Sequence, residues 1–201
     1  MIKAKGMTLA LPAAILAVSA GTAEAHVGHG SAMGFTTGLL HPLSGIDHLL
    51  AMVMVGAFAV QLGGRALYLI PGAFIAAMVL GGILGASHVS MGPVELAIAL
   101  SVFALGLAVA CRINPALPAA AAIAAFFGVF HGHAHGTEMP DMAAGLAYGA
   151  GFVASTALLH AAGIAIGRLT GELKGRLGNA VLRAIGAAVT LAGASLIAGA
   201  V

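Results

Sequence analysis

No charged side chain separates Arg65 from Glu95, Arg112 from Glu138, Asp141 from Arg168, or Arg183 from the C-terminus. These intervals are comparable to the about 20 apolar residues that carry a helix across a bilayer. A water-soluble domain needs about a quarter of its residues charged. Here the share is 7 %, against 61 % hydrophobic and a mean hydropathy of +1.09. Inside lipid a helix satisfies its own backbone hydrogen bonds, so the expected fold is all-α, a polytopic membrane protein. Eight basic and six acidic residues leave no basic footprint for nucleic acid. Cys111 is the single cysteine, which excludes an internal disulfide and a thiolate zinc site.

Residues 1–25 read as a secretory signal, with Lys3 and Lys5 before an apolar run from Leu9 to Val18 and an A-x-A site at Ala23–Ala25. The apolar run is too short to span a bilayer, so cleavage is expected and His26 would begin the mature domain, 26–201. The rival reading is an uncleaved anchor. Turn signals then divide the chain into six expected transmembrane helices, at 35–61, 67–86, 93–111, 116–136, 142–166 and 179–200. Starting outside, they place Arg65, Arg112, Arg168, Lys174, Arg176 and Arg183 all on the cytoplasmic side. Lysine and arginine gather on that side of membrane proteins, so the charges support an inner-membrane protein with both mature termini periplasmic. Glycines at small-xxx-small spacing (81/85, 128/132/136, 145/149, 163/167) suit close helix packing.

Ionisable groups inside a span are costly and mark a pathway or a site. The first span carries His41, Asp47 and His48; on a continuous helix the two histidines share a face, and Pro42 and Gly45 invite a kink there. The fourth span carries His131, His135 and Glu138 at i, i+4, i+7, on one face, with His133 opposite. Glu95, near the outer end of the third span, would complete the ring, although an acid in a first turn also suits the helix dipole. Imidazole with carboxylate suits Ni, Co, Zn or Cu(II). His26 and His29 flank the new N-terminus, but the third mature residue is Gly28, so the tight amino-terminal copper/nickel site is absent. Asp141 reads as a helix cap, His88 and His133 as outer-surface residues, and His160 as an inner waypoint or a bonded core histidine. Met52 and Met54 read as packing, and Tyr68 and Tyr148 as interfacial anchors.

Two motifs, His41-x5-Asp47-His48 and Phe130-His-Gly-x-Ala-His-Gly-x-Glu138, make the chain resemble the HupE/UreJ family of bacterial nickel and cobalt permeases. The resemblance covers nearly the whole length. It implies movement of Ni²⁺ or Co²⁺ across the inner membrane for hydrogenase or urease maturation, by a secondary carrier or facilitator rather than an enzyme. It assigns metal handling to His41, Asp47, His48, His131, His135 and Glu138. The expected partners are the divalent ion and the lipid bilayer, with no prosthetic group; a homo-oligomer stays open. The residue types alone also permit an intramembrane zinc-dependent hydrolase, since His and Asp can hold a catalytic zinc.

Overall fold

The structure, a computed structural model, describes residues 31–139, 142–173 and 176–200. The expected signal segment, His26, His29, Asp141 and Lys174 lie outside the described residues. Within them the chain is all helix: α1 Ser31–Ser44, α2 Ile46–Leu62, α3 Ala66–Ala86, α4 Val94–Ala110, α5 Leu117–Thr137, α6 Met142–Glu172 and α7 Leu177–Ala200.

Four helices, α3, α5, α6 and α7, are long and apolar enough to cross a membrane. The expected first span is not one helix. It is the pair α1–α2, bent by 84°, which brings the count to five. Gly45 makes the break: its backbone is extended (φ −100°, ψ 118°) and leaves the helical path between the two segments. The expected third span, α4, is apolar but has 17 residues. At 1.5 Å per residue that is about 26 Å, short of the ~30 Å hydrocarbon core.

Helix ends are set by local backbone chemistry. Gly63 and Gly64 take positive φ (70° and 53°) and turn the chain between α2 and α3. His88 (φ 55°) closes α3 in the left-handed conformation, letting the Val89 amide reach back to the Leu84 carbonyl at 3.0 Å. Arg112 (φ 54°) closes α4 the same way, with Ile113 bonded to Ala108 at 2.9 Å.

Lipid supplies no hydrophobic push between helices, so association depends on close backbone approach. The α3–α5 pair shows this directly. A methyl group on Gly81, Gly128, Gly132 or Gly136 would overlap the carbonyl of Val129, Phe74, Met78 or Gly82, respectively, on the facing helix. Gly56 and Gly163 do the same for α2 against α6, and Gly106 and Gly186 for α4 against α7. Gly149 departs from the expectation, with only the Met139 methyl 4.0 Å from where its Cβ would stand. Met52 and Met54 are fully buried among Val55, Phe58, Ile70 and Phe74, as packing residues.

The charges segregate along the bundle. The C-terminal ends of α2 and α4 meet where Gln61 donates to the Ala108 and Ile113 carbonyls (3.2 and 2.9 Å). The start of α7 joins them: Arg183 donates to the Ala110 carbonyl at 2.8 Å, and Arg112 bonds Asn179. The opposite end holds the α1–α2 break and the ends of α3 and α5, tied by His133 bonding the Val89 carbonyl at 2.7 Å.

Candidate metal centre

The last turns of α5 meet the α1–α2 break. Because Gly45 interrupts the helix, His41 and His48 do not share a helical face as a continuous span would make them do. They converge from two directions on His135, with ring centroids 4.6 and 4.4 Å away. His48 also lies 4.7 Å from His131. Four imidazoles therefore form one continuous row, His41–His135–His48–His131.

The outer member of the row is open and the rest is not. Ligand atoms of His41, His135 and Glu138 all lie within 4.8 Å of one another. The His41 Nε2 is 3.6 Å from the Glu138 carboxylate, whose side chain is 62 % exposed. His131 is wholly buried, and His135 and His48 nearly so. Glu138 sits at the C-cap of α5, where the helix dipole already presents partial negative charge, so an acid there is disfavoured unless a cation offsets it.

Two neighbours fix how the buried rings present their nitrogens. Asp47 folds back over Gly45: its Oδ1 accepts the His48 amide N–H (2.7 Å) and the His48 Nδ1–H (2.8 Å). The His48 Nε2 then carries the lone pair, and it has no hydrogen-bond partner among the described residues. A methyl at Gly45 would stand 2.7 Å from that Oδ1, so a larger residue there would push the carboxylate aside. On α4, Ser101 gives its hydroxyl proton to the Ile98 carbonyl (2.6 Å), so its oxygen accepts from His131 Nε2–H (2.9 Å). The His131 Nδ1 is left as the free donor atom. Carboxylate and hydroxyl partners of this kind orient metal-binding imidazoles and set their tautomer.

Six of the seven sequence candidates thus come together, Asp47 as a partner of His48 rather than as a free ligand. Glu95 does not join them. It stands exposed in the first turn of α4, with no ion pair or hydrogen bond among the described residues. Six residues on, Ser101 reaches His131; at 100° per residue the two side chains lie about 120° apart around α4. His133 and Tyr148, expected near the surface, are buried. His133 is held by the Val89 carbonyl. Tyr148 packs on His41 (5.8 Å) and Phe152 on His135 (4.1 Å). Tyr68 remains exposed beside Arg65, as an anchor would. Sequence reading missed Ser101 and the α6 wall, although Tyr148, Phe152, Thr156 and His160 recur every fourth residue, a spacing that keeps them along one side of a helix.

A buried row of imidazoles with free nitrogens, opening at one end beside a carboxylate, makes a candidate transition-metal site in a helical membrane protein. The chain belongs to the HupE/UreJ family: the family described as HupE / UreJ protein matches residues 14–196. It is 46 % identical over 177 residues to Protein HupE of Rhizobium leguminosarum bv. viciae, covering 88 % of this chain and 91 % of that relative. No solved structure matches the chain.

Proposed function

We propose that this protein is a membrane permease that admits Ni²⁺, and Co²⁺ with it, to supply hydrogenase or urease maturation. The observation that carries this reading is the row of four imidazoles leading inward from a half-open mouth. A hydrated ion meets Glu138, His41 and His135 first and exchanges water for imidazole and carboxylate. It then passes to His48 and His131, whose free nitrogens are already oriented. Imidazole and carboxylate donors suit nickel and cobalt, and no thiolate is available to favour softer ions. The segregation of arginines to the far end supports an orientation with the mouth in the periplasm of an inner-membrane protein, and six spans in all. Family membership favours transport over the zinc hydrolase.

The test is ⁶³Ni²⁺ uptake into proteoliposomes holding the purified chain, beside a His41→Ala, His135→Ala double variant. Entry above empty vesicles that disappears in the double variant is the expected result. Tight binding without entry would sink the permease reading.

A further inference from the structure

Among the described residues one buried histidine is left over. His160 lies on α6, 2 % exposed, and neither ring nitrogen has a hydrogen-bond partner among the described residues. Leaving a buried polar group without a partner forfeits its hydration for nothing, so an idle imidazole with both nitrogens unmet is an expensive way to fill a core. Its place is not arbitrary. The Phe74 ring contacts both it and the row, 5.4 Å from His131 and 5.2 Å from His160. Along α6, His160 is twelve residues beyond Tyr148, which packs on His41, a rise of about 18 Å towards the arginine end. Helical side chains lean back towards the N-terminus, which tips the His160 imidazole towards the row.

Weak donors lie one turn away along the two helices. Thr156, one turn earlier on α6, is fully buried and donates its hydroxyl proton to the Met78 sulfur at 3.6 Å; Met78 is one turn beyond Phe74 on α3. A nitrogen, a hydroxyl and a thioether make a poor resting site and a serviceable stopping place, since conduction needs binding weak enough to release.

We propose that His160 is a second, deeper binding station for the divalent cation, which it receives from His131 past Phe74. The proposal rests on the permease reading and extends it from a mouth to a path.

The experiment measures Ni²⁺ and Cd²⁺ influx into proteoliposomes for the full chain, His160→Gln, His160→Cys and the His41→Ala, His135→Ala double variant. Ni²⁺ binding in detergent is measured alongside. For His160→Gln the expected result is influx reduced at least about tenfold, with Ni²⁺ binding at the mouth retained, because only the deeper ligand is lost. For His160→Cys the ratio of Cd²⁺ to Ni²⁺ influx is expected to rise about tenfold, since a thiolate favours the softer ion. That ratio is internal to one sample, so loss of folded protein lowers both ions together and leaves it unmoved. Full-rate influx through His160→Gln, or an unchanged ratio in His160→Cys, overturns the station. If the wild-type chain moves no Ni²⁺ at all, the permease reading itself fails; if the double variant alone loses influx and His160→Gln runs at the full rate, that reading stands and the station falls.

Discussion

Asp47 bears two hydrogen bonds on one oxygen, and both come from His48. The position of the carboxylate depends on a residue that has no side chain. Gly45→Ala puts a methyl 2.7 Å from Oδ1 and 3.3 Å from the His48 Nδ1, and the carboxylate must move. Loss of such an orienting partner typically weakens metal binding about 10–100-fold. Ni²⁺ titration of Gly45→Ala in detergent is expected to show a loss in that range with the helical circular dichroism unchanged; wild-type affinity would mean that Asp47 does not orient His48. The histidines and acids of this site were legible in sequence because each is conspicuous in an apolar span. Ser101 was not: a serine among Leu, Ile, Ala and Val reads as one more small packing residue until His131 is seen against it.

At the scale of the helix, position-by-position periodicity failed where the helix itself stopped. The common face of His41 and His48 presupposed an unbroken span, and Gly45 removes that premise while its fold-back of Asp47 delivers the same convergence by another route. Glycine spacing was the more durable signal, because it needs no register beyond a single turn. In α3 and α5 it lets two backbones touch, with Gly132 against the Met78 carbonyl. Even one methyl at Gly132 has no room unless the helices part, and overpacking of this kind costs about 1–3 kcal/mol. Gly72, on α3, has nothing within 4 Å of where its Cβ would stand. Gly132→Ala is therefore expected to lower the thermal midpoint in detergent by several degrees and Gly72→Ala to leave it within error or raise it slightly. Equal effects of the two would show that close α3–α5 contact does not hold the bundle.

For the molecule as a whole, hydropathy located the long helices of the described residues, and charge predicts a direction that hydropathy lacks. Against the six spans expected, the described helices give four, or five with the bent α1–α2 pair as one, because α4 is about a turn shorter than a bilayer. Both irregular elements border the site: the bend presents His41 and Asp47, and α4 contributes Ser101. Direction decides which way the mouth faces, and so whether the row of imidazoles receives ions from outside the cell or from within it. The lone thiol of the chain reports it. Cys111 is exposed at the C-cap of α4, beside Arg112 and at the arginine end of the bundle. With lysine and arginine held on the cytoplasmic side, a membrane-impermeant maleimide is expected to spare Cys111 in intact spheroplasts and to label it in inverted vesicles. Detergent-opened spheroplasts, in which the thiol reacts whatever its side, provide the full-labelling reference. Labelling of intact spheroplasts alone would turn the mouth towards the cytoplasm, and the same four imidazoles would then collect metal for export.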